Sequence, residues 1–374
     1  MMKKLIVVFC IASILGSCNK ENDIPLRKDA WSVISVKSDY NLKKINMISE
    51  KVGFISAYVD HNIEDGDKIV FNFPGSFPSD PKYLNLDGTD YLQGKWEVVN
   101  RLPTKPYIFK TVDGGMNWQP LNLPFTNLYD FSFINEEIGF TLSEDGIYRT
   151  LDGGLSWKKV ASNKVIYDNQ LRMRAFQNMK FVNHNEGFLY NNHFMSSIKI
   201  LAYFNIENMQ WRMISSTIDK ENTVQLDNLL KKISFTSSTY DSGYILTRDH
   251  VYKTTDKGIS WNSIKGTYLL HDIDMVNDLV GFVSSPDALF KTSDGGESWS
   301  RYNYQINPPL LNFKALSDQI IIGTNHLNIY KSVDGGLTFE IMKKPQGVVR
   351  DICIPSPNIG FAIGDRGEIL KYQK

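Results

Sequence analysis

Several side chains in this sequence have the types and spacing to do chemistry. Glu144-Asp145 and Asp365 stand in short polar stretches between apolar runs, where carboxylates can act as general acid and base on a glycosidic bond. His61, His193, His250 and His326 each follow directly on an Asp or Asn in comparable stretches, and imidazole is a common metal ligand. Arg172 and Arg174, with Lys158, Lys159 and Lys164, make a local basic run suited to an acidic partner or a glycan carboxylate. Arg248 and Arg366 adjoin Asp249 and Asp365. The thiols are Cys10, Cys18 and Cys353, too few for a disulfide framework. Cys353 lies in an apolar strand pattern, RDICIP, without a nearby His, and is expected to pack as a small core residue.

What positions these groups is an internal repeat. FKTVDGGMNW, YRTLDGGLSW, YKTTDKGISW, FKTSDGGESW and YKSVDGGLTF begin at residues 109, 148, 252, 290 and 330, and each fits Ser/Thr-x-Asp-x-Gly-x-x-aromatic. The motif reads as a hairpin. Thr111, Thr150, Thr254, Thr292 and Ser332 end one strand, and Asp113, Asp152, Asp256, Asp294 and Asp334 can cap the turn by accepting backbone N–H bonds. Gly115, Gly154, Gly258, Gly296 and Gly336 can take the positive φ that such a turn needs. Trp118, Trp157, Trp261, Trp299 and Phe339 start the next strand with a large apolar body. A weaker copy, YFNIENMQW at 203–211, is one residue short.

Upstream of each hairpin a strand, a polar turn and a Gly-aromatic strand recur, as in FSFINEEIGFTLS and IDMVNDLVGFVSS. Seven such units, each of strands A to D, predict an all-β, seven-bladed β-propeller of four-stranded blades. The last unit lacks a strand D, and AWSVISV at 30–36 matches that strand's pattern. The ring is therefore expected to close by an N-terminal strand completing the last blade. Residues 30–374 form one propeller, and 60–106 insert into its first blade. The C–D hairpins and A–B turns share one face. The B–C and D–A loops share the other, so His61, Asp145, His193, Arg248, His250, His326, Asp365 and Arg366 belong to one candidate binding face, which residues 162–178 enlarge. Histidines on blades that diverge from a common axis do not converge, so no metal site and no cofactor are expected.

The N-terminus is an address. Lys3 and Lys4 precede an apolar run from Leu5 to Leu15, too short to span a bilayer, and then Gly16-Ser17-Cys18. Residues 1–17 read as a signal peptide, 18–29 as a tether. The ending ILGSC resembles the lipobox of bacterial lipoproteins, which implies lipidation of Cys18 and anchoring to the outer membrane of a bacterial envelope. NKENDIP reads either as a solvated linker or as similar to the surface-export signals of Bacteroidetes lipoproteins. Loss of Lys3 and Lys4 leaves 39 basic against 41 acidic residues, which argues against nucleic acid as a partner.

The five boxes resemble the Asp-box, or bacterial neuraminidase, repeat. DGGxxW with the Gly-aromatic strand is most similar to propellers of the photosystem II assembly-factor type, which implies a non-catalytic role in binding a protein or glycan. Sialidases share the box, but their aromatic-Arg-Ile-Pro signature does not occur here. The nearest string is Arg101-Leu102-Pro103, outside a strand A, and the chain has only ten arginines. The alternative is a sialidase-like enzyme using Glu144, Asp145 and Asp365.

Overall fold

The computed structural model describes residues 31–36, 40–58, 106–167, 171–174, 176–191, 200–216, 230–236, 240–266, 269–303 and 306–374. Seven four-stranded antiparallel sheets form the blades of a propeller. Blade 1 runs Asn41–Met47, Gly53–Tyr58, Pro106–Thr111 and Gln119–Pro120. Blade 2 is Leu128–Phe133, Gly139–Ser143, Ile147–Thr150 and Lys158–Ala161. Blade 3 is Asn178–Phe181, Glu186–Tyr190, Ile200–Asn205 and Gln210–Ser216. Blade 4 is Leu230–Phe235, Gly243–Thr247, His250–Thr254 and Asn262–Gly266. Blade 5 is Asp272–Met275, Gly281–Ser284, Ala288–Thr292 and Ser300–Asn303. Blade 6 is Asn312–Ala315, Ile321–Thr324, Ile329–Ser332 and Glu340–Lys343.

Blade 7 takes three strands from the C-terminus, Val349–Ser356, Ile359–Gly364 and Glu368–Gln373, and its fourth from Trp31–Val36. Trp31 pairs with Tyr372 and Val36 with Glu368, so the two ends of the chain close the ring. The Trp31 indole lies 5.7 Å from the Tyr372 ring.

Blades adhere through the Gly-aromatic strand. Phe54 stacks on Phe133 of the next blade at 3.4 Å, and Phe140 on Phe181 at 3.6 Å. All four rings are buried, and each contributes about 1.5–3 kcal/mol of transfer free energy. The glycine is there for space. A Cβ on Gly139 would come within 2.4 Å of the Phe133 ring, which folds back over it.

Residues 162–178 hold more order than a loop. Lys164–Tyr167 and Leu171–Arg174 pair as a separate two-stranded hairpin between blades 2 and 3. Residues 1–30 and 59–105, hence Cys18, His61 and almost all of the insertion, lie outside the described residues, as does His193.

Candidate functional site

Each box builds the same network. The Thr111 hydroxyl accepts the Gly115 N–H at 2.9 Å and donates to Asp113 Oδ1 at 2.9 Å. Asp113 Oδ1 in turn accepts the Asn117 N–H at 2.9 Å. The set recurs around Asp152, Asp256, Asp294 and Asp334, with Oγ to glycine-N distances of 2.8–2.9 Å. Gly115, Gly154, Gly258, Gly296 and Gly336 all have φ between 75° and 95°. A further member was absent from the sequence motif. The residue before each aromatic, Asn117, Ser156, Ser260, Ser298 or Thr338, donates a side-chain proton to Asp Oδ2 at 2.5–2.7 Å. A polar residue at that position in all five copies was the available signal. The hairpins also bond to their own A–B turns, as in Gly153 N–H to Glu137 O at 2.7 Å and Gly295 N–H to Leu279 O at 2.8 Å. C–D hairpins and A–B turns thus share one face. In blade 3, Asn205 substitutes by accepting the Glu207 N–H at 2.9 Å, and Trp211 is left 41% exposed, unlike Trp118 and Trp261.

The axis carries a second set of polar residues that the repeats alone did not reveal. Two residues apart on each inner strand, side chains recur at equivalent positions around the channel: Lys44, Asp130, Asn178, Lys232, Asp272, Asn312 and Asp351 at one level. The next level holds Asn46, Ser132, Lys180, Ser234, Asp274, Lys314 and Cys353. Lysines and aspartates pair across blades: Lys44 with Asp130 at 2.7 Å, Lys232 with Asp272 at 2.8 Å and Lys314 with Asp274 at 3.0 Å. The carboxylates also stitch the ring by accepting backbone N–H groups of the following blade. Asp130 takes Met179, Asp272 takes Phe313, Asp274 takes Ala315 and Asp351 takes Ile45, all at 2.8–3.0 Å. Cys353 is half-buried and packs against the core cluster of Leu42, Ile45, Met47 and Phe361. It accepts the Met47 N–H at 3.3 Å, and burial pushes its thiol up to about 11, which makes it a poor nucleophile at neutral pH.

These carboxylates titrate in opposite directions. Burial raises Asp351 to about 6, against the pull of the Ile45 N–H and Lys44. Side-chain and backbone donation from Ser156 holds Asp152 down at about 2, and the other box aspartates are lowered likewise. A raised carboxyl binds its proton more tightly in the folded chain, so its stabilisation is present below the ordinary 3.8 and is lost as pH rises through about 6. A lowered carboxyl stabilises above 3.8 and loses that contribution as pH falls towards about 2. Melting temperature is therefore expected to rise as pH falls from about 6 to 4 and to drop below 4. Thermal melts should show Asp351→Asn reducing the rise and Asp152→Asn weakening the drop.

On the loop face, the expected acid–base candidates are engaged. Asp145 is partly buried, which raises its pKa, but Lys159 at 2.8 Å, Ser143 at 2.6 Å and Tyr148 at 2.7 Å outweigh this and hold it at about 2. Glu144 accepts the Asn127 amide at 2.7 Å. Asp365 accepts Arg350 Nε at 2.6 Å. His250 Nδ1 lies 3.1 Å from Asp249, beside Arg248 in the B–C turn of blade 4. His326, at φ 73°, is tied to blade 7 through Val349 O at 2.6 Å. The structure does not bring these two histidines together, and among the described residues no three His, Cys, Asp or Glu side chains form a metal-sized group.

Lys158 and Lys159 line one cleft with Arg149 and with His184 and Glu207 of blade 3, towards the hairpin face, and Lys159 also bonds Asp145 at 2.8 Å. Arg172 and Arg174 are placed in the hairpin by backbone register only, and Arg366 in a 3-10 turn, Asp365–Gly367.

What the loop face does form is a cavity of about 510 Å³ at the mouth of the channel, where blades 7, 1 and 2 meet. Lys43, Tyr58, Asn127, Tyr129, Arg350 and Asp365 are among its lining residues. Arg350 and Asp365 are partly exposed there, and Lys43 donates to Tyr129 O at 3.2 Å. Of these only Asp365 was singled out from the sequence. Arg350 and Lys43 precede inner-strand aspartate or lysine positions, and their convergence depends on ring closure.

Residues 207–352 match the family model described as photosynthesis system II assembly factor YCF48. Among solved structures, "YCF48 bound to D1 peptide" superposes with a TM-score of 0.62 at 15% identity, covering 94% of this chain and 99% of that one. YCF48 from Cyanidioschyzon merolae gives 0.60 at 13% identity, covering 92% and 98%. The Neurospora crassa Pan2 WD40 domain gives 0.56 at 9% identity, covering 93% and 97%. No curated protein matches the sequence. The chain is thus a seven-bladed propeller similar to YCF48, and at these identities the superpositions speak to fold alone.

Proposed function

We propose that this chain is a non-catalytic binding propeller, anchored in a bacterial envelope through lipid at Cys18, whose loop face holds a protein partner in a scaffold or assembly role. The observation that carries the reading is the cavity at the channel mouth, with Lys43 and Arg350 beside the Tyr58 and Tyr129 rings. Cations next to aromatic surface suit a polypeptide carrying acidic and apolar side chains. The match to the YCF48 model, and a YCF48 structure that holds a D1 peptide, support a protein rather than a glycan as the occupant. The geometry of the carboxylates supports the absence of catalysis. A general acid must hold a proton near neutral pH, whereas Asp145 is held at about 2 by three donors and Asp365 is committed to Arg350.

Affinity capture from detergent-solubilised envelope tests this. The wild-type chain is expected to retain a specific protein, and Lys43→Glu with Arg350→Glu to reduce recovery at least tenfold without loss of fold. Equal recovery by both chains, or turnover of a released sugar that Asp145→Asn abolishes, would overturn the reading.

A further inference from the structure

The hairpin face carries an arc of exposed apolar side chains that the boxes do not require. Val112 and Met116 in blade 1, Leu151 and Leu155 in blade 2, and Val333 and Leu337 in blade 6 are 52–79% exposed. Each follows directly on the Ser/Thr or on the second glycine of its box. Blade 5 has Ser293 and Glu297 at the same positions and forms the same hydrogen bonds around Asp294. The turn therefore works equally well with polar residues there. Single exposed apolar side chains continue round this face at Met209 in blade 3, Ile259 in blade 4 and Leu279 in the A–B turn of blade 5, but among the described residues pairs at the hairpin tips occur only in blades 6, 1 and 2.

The placement of the pairs is asymmetric. Blades 6, 1 and 2 bracket blade 7, where the chain enters the propeller at Trp31. Trp31 pairs with Tyr372, and the adjacent C-terminal Lys374 N–H bonds to Asn358 O in the A–B turn of blade 7. The N-terminal segment thus joins the propeller at its hairpin face, at the centre of the apolar arc. Twelve residues lie between Cys18 and Trp31, a reach of at most about 45 Å when extended. On the opposite face the described residues show only Leu327 and Tyr58 as large, exposed and apolar.

We infer that the hairpin face lies against the lipid surface, the apolar tips of blades 6, 1 and 2 dipping into the headgroup region and the loop face held outward. This rests on the anchoring of Cys18 proposed above. Singly exposed apolar residues are ordinary on protein surfaces. Six at hairpin tips, on either side of the point where a short lipid-linked tether arrives, give the tethered face a natural occupant. The arrangement leaves the channel mouth free for its partner and fixes the distance at which that partner is held from the membrane.

The test uses the full chain, produced in a lipidating bacterial host and reconstituted into phosphatidylethanolamine–phosphatidylglycerol vesicles. With Cys353 replaced by serine, an environment-sensitive fluorophore is attached through Leu155→Cys, Leu337→Cys or, on the opposite face, Leu327→Cys. Lipids carrying a headgroup-depth quencher are expected to quench the first two at least threefold more than the third. Equal quenching, or stronger quenching at Leu327, overturns the orientation. So does a result in which Leu155 and Leu337 are shielded from aqueous iodide yet untouched by lipid quencher, which would place a second protein copy on the arc. The anchor is read separately by sedimentation with Cys18→Ser. Retention of the unsubstituted chain with loss of the Cys18→Ser chain upholds anchoring whatever the quenching shows, and failure of the unsubstituted chain to sediment with vesicles overturns both readings.

Discussion

Replacing Trp31 by alanine is expected to cost about 3–5 kcal/mol of unfolding free energy, as large-to-small changes at fully packed aromatic sites do. Trp31 is 6% exposed and packs with Met342, Ile322 and Ile329 of blade 6 as well as Ile354, Leu370 and Tyr372 of blade 7. It therefore ties the N-terminal strand into blades 6 and 7, at the seam within blade 7 where the chain is not covalently continuous. Its indole N–H has no hydrogen-bond partner among the described residues, so little polar compensation is lost, and Trp31→Phe should stay within about 1.5 kcal/mol of wild type. Trp211 provides the contrast. It occupies the equivalent position in blade 3 but is 41% exposed over the shortened hairpin, and Trp211→Ala should cost less than half as much. Urea unfolding of the three variants measures this. Equal losses at Trp31 and Trp211 would mean that closure by the N-terminal strand adds nothing to stability.

Removing the carboxylate at Asp272 is the second large effect. Asp272 is 5% exposed and holds Lys232 at 2.8 Å, the Phe313 N–H at 3.0 Å and its own following N–H of Ile273 at 2.8 Å. Burial raises its pKa while Lys232 and the Phe313 N–H lower it, and the Lys232 ammonium is favoured in return by Asp272 and Asp274 despite its partial burial. Asp272→Ala leaves two buried backbone donors and a partly exposed ammonium without that acceptor, at a cost of about 2–3 kcal/mol. A double substitution, Asp272→Leu with Lys232→Met, removes the stranded charge and should recover at least half of that loss. If the single and double variants unfold together, the pair is not what joins blades 4, 5 and 6 at the axis.

Why the ring could be read from sequence, and the axis could not, has a physical cause. The box places Thr, Asp, Gly and an aromatic at fixed offsets because one hairpin needs all four within eight residues, so the signal is local and recurs five times. The unpaired seventh strand was visible because AWSVISV at the start answers a missing strand at the end. The axial carboxylates carry no such local logic. Asp130, Asp272 and Asp351 sit in apolar strands where alternation suggests a solvent-facing side chain. Their true partners, Met179, Phe313 and Ile45, are 41 to 306 residues away. Superposing the seven inner strands would have exposed the recurring position.

The cavity at the channel mouth is only partly legible in the sequence. Asp365 belongs to the channel-mouth cavity, but Asp145 and His326 turned out to hold neighbouring strands and side chains in place. The order within residues 162–178 is masked by their basic side chains, which suit a solvated loop. KVIY and LRMR, divided by Asp168-Asn169-Gln170, were a hairpin signal in plain view.

The central claim, that the loop face rather than the hairpin face meets the partner, is tested most directly by site-specific photo-crosslinking in intact cells. A photoreactive amino acid in place of Tyr129, at the channel mouth, should give one discrete protein adduct. The same residue in place of Leu151, on the hairpin face, should not give that adduct. An identical adduct from both positions, or an adduct from Leu151 alone, would contradict the account.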